Sequence, residues 1–124
     1  MNPMLLKNFV AESIISPYRL VKMGSTNDKV TLATAATDMI VGVCNEVGPA
    51  LGERCDIVVV GVAYIEAGAA IVRGNFVTSD ATGRAVVPAP AAGVNNRCIG
   101  VALESATAAG DIVGVSLSPC MLQG

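Results

Sequence analysis

The feature that most constrains this chain is a run of β-branched residues near its middle. Residues 57–60 read Ile-Val-Val-Val, and after Gly61 the run continues as Val-Ala-Tyr-Ile over residues 62–65. Such residues are stiff at χ1 and suit a pleated, buried surface better than a helix. A glycine inside a strand indicates a bulge or a bend. The sequence therefore predicts a central strand, bent at Gly61, in an all-β domain.

The same outline of β-branched residue, glycine and valine recurs along the chain. It surrounds Gly42, Gly61, Gly100 and Gly114, with no fixed period between the copies. The irregular spacing argues against a solenoid. Short apolar runs separated by turn residues instead predict a small barrel or sandwich of about 8–10 short strands, with glycines at the bends and minimal helix.

The remaining strands are placed by their flanking turns. They are predicted over residues 18–23, 29–32, 39–45, 75–79, 84–87, 97–104 and 111–117, with a loop over 46–52 and an exposed loop over 88–96. Ser118-Pro119 is predicted to end the last strand, because proline cannot donate to a ladder. The predicted organisation is an N-terminal arm over residues 1–16, a β domain over 17–119 and a short tail over 120–124.

The N-terminal segment differs from the rest and leaves two alternatives open. Its apolar residues fall at helix-compatible spacings, but Ser16 precedes Pro17 and is pushed away from the α region, which suits an extended segment. The segment either folds back on its own domain as an ordinary first element or grips a neighbouring molecule.

Composition limits the classes of function. Hydrophobic residues make up 52% and charged residues only 15%, so the chain is expected to bury surface against copies of itself or a larger body. The net charge is −2 and the basic residues are scattered, which argues against a nucleic-acid partner. The apolar runs are too short to span a membrane. Lys7 and Asn8 interrupt the first apolar run, so no signal peptide is expected and the product is made and used without export.

No residue pattern marks an active site. Cys44, Cys55, Cys98 and Cys120 include no CxxC pair, and the chain has no histidine to complete a zinc site or act as a base. Cys44, Cys55 and Cys98 lie in or beside predicted strands and are expected to act as small apolar residues, and a disulfide is the less favoured alternative. Gly24-Ser25 is interpreted as an ordinary turn and less favourably as a self-cleaving bond. We therefore predict no catalytic residue, no cofactor and no metal.

The order of several low-information segments resembles a family of tailed-phage proteins, the capsid cement or decoration proteins. The matching segments are residues 58–63 (VVVGVA), 66–71 (EAGAAI), 74–86 (GNFVTSDATGRAV), 99–104 (IGVALE) and 108–115 (AAGDIVGV). The resemblance covers the chain from about Tyr18 to Leu117.

This resemblance implies a structural virion protein, often a homotrimer, on the outside of a phage capsid. It would be made in the host cytoplasm and would stabilise the shell by bridging neighbouring major capsid protein subunits. The predicted capsid or inter-subunit contacts are the apolar residues of the N-terminal segment: Leu5, Leu6, Phe9, Val10 and Ile14.

The alternatives are a phage tail subunit and a small β-barrel carrier or self-processing enzyme. A biotinyl or lipoyl carrier needs a lysine at a hairpin tip, where this chain has Thr82-Gly83-Arg84.

Overall fold

The computed structural model describes residues 4–44 and 48–124, which form nine strands and no helix. None of these residues belongs to a helix that could cross a membrane. The strands are β1 (Met4–Ala11), β2 (Leu20–Met23), β3 (Lys29–Leu32), β4 (Ile40–Cys44), β5 (Arg54–Glu66), β6 (Phe76–Ser79), β7 (Ala85–Val86), β8 (Asn95–Ala102) and β9 (Ile112–Gln123). The all-β prediction is confirmed. The predictions for Asn45 and for the loop residues Glu46 and Val47 lie outside the described residues.

The first five strands form a closed ring. Their order is β1-β3-β2-β4-β5, and β1 also pairs with β5. The β1–β3 pair is parallel, and the other pairs are antiparallel. Closing the sheet leaves no unpaired edge around this ring.

The long strand β5 belongs to both halves of the molecule. Its first half pairs with β1 and β4, whereas from Gly61 to Glu66 it pairs with β9. Gly61 lies opposite both Met4 and Leu117. Its backbone φ is 104°, a value that residues other than glycine rarely adopt. The glycine predicted to interrupt the central strand is therefore the residue at which β5 changes neighbours.

The second half of the sheet continues from β5 in the order β9-β8-β6-β7. An isolated bridge between Ala67 and Ala85 brings β7 back beside the end of β5. A second bridge, between Ile71 and Ala106, joins the connections that follow β5 and β8. This half therefore also curves back on β5.

Two buried clusters fill the molecule, and β5 contributes to both. Cys55 and Ile57 point into the cluster that also contains Phe9, while Val58 points into the larger cluster with Ile65. Side chains alternate between the faces of a strand, so one strand can supply two cores. The smaller cluster consists of Phe9, Ala11, Ile15, Val21, Val30, Cys44, Cys55 and Ile57.

The N-terminal segment is extended over residues Met4–Ala11. It pairs with β5 from Met4 opposite Gly61 to Val10 opposite Arg54. Of the helical and extended alternatives, the extended one is observed. These residues form part of the closed ring, within the span predicted as an arm.

The prediction that Ser118-Pro119 ends the last strand is wrong, because β9 runs on to Gln123. Cys98 lies opposite Cys120 and Gly100 opposite Leu117, so Ser118 and Pro119 together face the single residue Ile99. Such a bulge leaves a residue without a ladder bond, which accommodates the missing N–H of proline. The same continuation gives β8 a partner from Asn95 onward, so β8 begins inside the predicted loop over 88–96.

Candidate interaction surface

The five predicted contact residues lie on different sides of the domain. Leu5 and Leu6 are 59% and 41% exposed, and Ile14 in the connection after β1 is 75% exposed. Phe9 is buried in the first ring, and Val10 is partly buried. The structure thus places three of the five on the surface and uses Phe9 in the protein's own core.

Ile14 belongs to a patch at one end of the first ring. Ala11 donates to the Glu53 carbonyl at 2.9 Å and accepts from the Gly52 N–H at 2.8 Å, and Ile15 donates to the Pro49 carbonyl. These bonds join the connection after β1 to the turn before β5. They bring Ile14 to the same end as Leu51, which is 68% exposed. We call Ile14 and Leu51 the barrel-end patch.

A second apolar surface covers the outer side of the other half of the sheet. Phe76 lies opposite Val101, Val101 opposite Ser116, and Ser116 opposite Val62, so the row crosses four strands. Directly opposite residues share a face of the sheet. Phe76 and Tyr64 are 44% and 45% exposed. We call Val62, Tyr64, Phe76 and Val101 the sheet-face patch.

Neighbouring side chains cover Gly114 in this patch. A Cβ placed on Gly114 would lie 3.5 Å from Tyr64 Cε1 and 3.8 Å from Val62 Cγ1, so both side chains flank the glycine. Glu104 lies at the border and accepts a hydrogen bond of 2.7 Å from the Gly114 N–H. The patch therefore combines exposed aromatic area with one carboxylate that is bonded to the backbone of β9.

Sequence reasoning missed Leu51 and the sheet-face patch. Leu51 is an isolated leucine in a predicted loop, and nothing local marks it as a neighbour of Ile14. Val62 and Tyr64 alternate with the buried Ala63 and Ile65, so the alternation carried a signal for an outward face. Phe76 joins them only through the strand order.

The partly buried ion pairs around Glu66 hold segments of the fold together. Glu66 Oε2 lies 3.2 Å from an Arg19 guanidinium nitrogen and 2.7 Å from Arg84 Nε. The Arg84 Nε–H is not directed at the carboxylate, so this contact is an ion pair without an aligned hydrogen bond. Arg19 also donates to the Thr82 carbonyl at 2.8 Å. These contacts tie the residue before β2 to the end of β5 and to the β6–β7 hairpin.

The Gly24-Ser25 segment is held as a turn by Glu12. The Glu12 carboxylate accepts hydrogen bonds from the Ser25 hydroxyl and from its backbone N–H at 2.9 Å. The side-chain and backbone hydrogen bonds from Ser25 hold the pKa of Glu12 below its ordinary value. The serine hydroxyl is thus engaged with a carboxylate that stays ionised.

The buried thiols are protonated at neutral pH. Burial, with a smaller contribution from Cys55, raises the pKa of Cys44 to about 12. Burial, followed by the hydrogen bond with Cys120, raises the pKa of Cys98 to about 11. The thiolate is the reactive form, so these two buried cysteines react slowly with reagents in solution at neutral pH. In the part of the chain that the structure describes, no three His, Cys, Asp or Glu side chains form a cluster that could hold a metal ion.

Comparison with known proteins identifies the family of the chain. A family model described as phage cement protein matches residues 8–117. The chain therefore belongs to the phage cement protein family, and it is a phage capsid structural protein. No curated protein gives a significant match.

A solved structure shares the fold. It is the crystal structure of the N base of the head fiber protein gp8.5 of bacteriophage phi29, with a TM-score of 0.67 and 22% identity. The alignment covers 94% of this chain and 95% of the N-base chain in that structure. At this identity the likeness shows the fold alone.

Proposed function

We propose that this protein binds the outside of a phage capsid and stabilises it by bridging neighbouring major capsid protein subunits. The observation that carries the proposal is membership of the cement family over residues 8–117. The exposed apolar patches provide a physical means, because surfaces of this kind mark sites of protein association. Repetition on a symmetric lattice would convert many weak contacts into high occupancy.

The barrel-end patch is the proposed capsid contact, and Leu5 and Leu6, near the other end of β1, are proposed as a second and separate contact. Ile14 and Leu51 are the two most exposed large apolar side chains among the described residues, at 75% and 68%. They come from two separate segments that backbone hydrogen bonds hold together. Such a fixed pair of anchors loses little conformational entropy on binding.

The sheet-face patch is the proposed contact between copies, in a homotrimer. Tyr64 and Phe76 supply exposed aromatic area, which is typical of association surfaces. Light scattering of the purified protein is expected to give three times the chain mass, and Y64D/F76D a single chain mass. A wild-type protein with a single chain mass would contradict the trimer and leave the capsid contact to be tested separately.

Capsid binding is tested with point variants, since deleting β1 would remove a strand and Phe9 from the core. Shells that lack this protein are incubated with wild type, I14D/L51D or the control V72D/L103D, and the bound copies are counted. Val72 and Leu103 are 64% and 50% exposed. They follow β5 and β8, whereas Leu51 precedes β5, so the control adds the same charge at the opposite end of β5.

We expect I14D/L51D to lower occupancy at least about tenfold, because each charge would have to be desolvated in the contact. The control is expected to bind like wild type and to raise the temperature at which the shell opens. Equal occupancy for I14D/L51D and wild type would overturn the barrel-end assignment. Failure of the wild-type protein to bind any expanded shell would overturn the proposed function.

A further inference from the structure

The end of β9 carries a cysteine pair whose arrangement has chemical consequences. Cys98 on β8 lies directly opposite Cys120 on β9, and the two thiols are near enough to influence each other's ionisation. The pairing between β5 and β9 ends at Leu117. From Cys120 to Gln123, β9 pairs with β8 and lies beyond its pairing with β5.

The separation of directly opposite residues suits a disulfide. Their Cα atoms are about 4.5 or 5.5 Å apart in an antiparallel pair, and disulfides span Cα distances of about 4.4–6.8 Å. Cβ atoms of such pairs are about 4.5–5.5 Å apart, whereas a disulfide needs about 3.5–4.5 Å. Closing the bond therefore requires a shift of up to about 1 Å. The bulge at Ser118-Pro119 separates this part of β9 from the rest of the ladder, which allows such a shift.

The two thiols differ in access to solvent. Cys120 is exposed, whereas Cys98 is 2% exposed. A reagent in solution can therefore reach Cys120. Cys98 can then attack the Cys120 sulfur from within the protein. An accessible cysteine beside a resolving cysteine is the arrangement that redox-sensing pairs often have.

We propose that Cys98 and Cys120 are an oxidisable pair that closes to a cross-strand disulfide and fastens the end of β9 to β8. The oxidant is a small disulfide such as oxidised glutathione. The Cys120 thiolate attacks one of its sulfurs, forms a mixed disulfide and releases one glutathione thiolate. Cys98 then loses its proton and attacks the Cys120 sulfur, which releases the second glutathione thiolate. Two thiols are oxidised by two electrons, and one disulfide is reduced to two thiols.

The other two cysteines provide an internal comparison. Cys44 and Cys55 are near enough to influence each other electrostatically, but they are 0% and 8% exposed within the first ring. Neither thiol can be reached by a small disulfide without opening the ring. The same protein therefore contains one pair with an entry point for the oxidant and one pair without it.

The experiment uses the full chain with oxidised glutathione at pH 8. Intact mass is expected to fall by about 2 Da, the two hydrogens lost in one disulfide. Peptide mapping without reductant is expected to show the peptides of Cys98 and Cys120 linked to each other. Cys44 and Cys55 are expected to react with an alkylating reagent only after unfolding.

The disulfide closes a loop over residues 98–120, which is expected to raise the midpoint of thermal unfolding by at least about 5 °C. C98S is expected to stop at the glutathione adduct, and C120S is expected to gain neither adduct nor disulfide.

The alternatives give different results. A mass that stays unchanged, or an adduct on Cys120 that never resolves in the wild-type chain, would overturn the proposal. A link between two chains, or between Cys44 and Cys55, would do the same. A Cys98–Cys120 link with no change in the unfolding midpoint would overturn the fastening of β9. None of these outcomes depends on whether the protein binds a capsid.

Discussion

At the scale of the residue, a glycine is most strictly required where two backbones approach each other closely. A Cβ on Gly100 would overlap the Ser116 carbonyl oxygen and lie 3.1 Å from Leu117 Cα, both parts of the β9 backbone. A Cβ on Gly114 would first meet Glu104 Oε1 at 2.9 Å, the far end of a flexible side chain. Both glycines are buried in strands, but only at Gly100 would a new atom have to displace a strand.

This difference predicts unequal costs for two alanine substitutions. G100A is expected to lower the free energy of unfolding by about 2–4 kcal/mol, as overpacking against backbone does. G114A is expected to cost about 1 kcal/mol or less, since Glu104 can move away. Urea denaturation measures both values. Equal costs for the two variants would show that the approach of β8 to β9 is not the constraint.

At the scale of the element, β1 shows how position along one strand separates an exposed end, opposite Val60, from a buried end, opposite Cys55. Phe9 is 4% exposed in the smaller core, while Leu5 on the same strand is 59% exposed opposite Val60. Lys7 lies between them along the strand, with its ammonium 5.0 Å from the centre of the Phe9 ring. The element is therefore a ring strand with an apolar outer end.

Alanine variants along β1 test this division. F9A is expected to destabilise the protein by about 3–5 kcal/mol, because it leaves a cavity in the smaller core. L5A is expected to change stability by no more than about 0.5 kcal/mol. Chemical denaturation of both variants provides the measurement. A small effect of F9A would mean that residues 4–11 do not belong to the ring in solution.

The sequence located most elements through local signals. Lys29–Leu32 was predicted with the observed bounds, and Gly61 was predicted as the interruption of the central strand. The last strand was cut short because Pro119 is a strong local stop signal. That signal failed because the register between β8 and β9 places the proline in a bulge, and register is a property of two strands rather than one.

At the scale of the whole molecule, Glu66 helps hold the two halves together. Its carboxylate lies within 3.2 Å of Arg19, which precedes β2 of the first ring, and within 2.7 Å of Arg84 beside β7. All three side chains are partly shielded, with side-chain exposures between 16% and 33%. The carboxylate therefore links segments that are distant in sequence.

Removing that carboxylate is expected to loosen the junction. E66A should lower the free energy of unfolding by about 1–2 kcal/mol, a value between those of exposed and buried ion pairs. E66Q should cost less, because its amide oxygen still accepts a hydrogen bond from Arg19. Thermal unfolding in low and high salt provides the measurement. An E66A variant as stable as wild type would assign the junction to apolar packing alone.

The candidate surface could be predicted only in part. Leu5, Leu6 and Ile14 were recognised as apolar residues with little polar cover, and they are exposed. Phe9 and Val10 carry the same local signal, yet Phe9 is buried because β1 pairs with β5 in a register that turns it inward. Leu51 and Phe76 join the surface only when the chain folds.

The sequence by itself determined the all-β class and most strand positions, because these depend on local stiffness, alternation and turn residues. Tertiary structure alone decided the closure of β1 on β5, the change of partner at Gly61 and the pairing of Cys98 with Cys120. Those features depend on which strands become neighbours and in what register. Contacts between residues far apart in the chain set that choice, and no local window of sequence contains them.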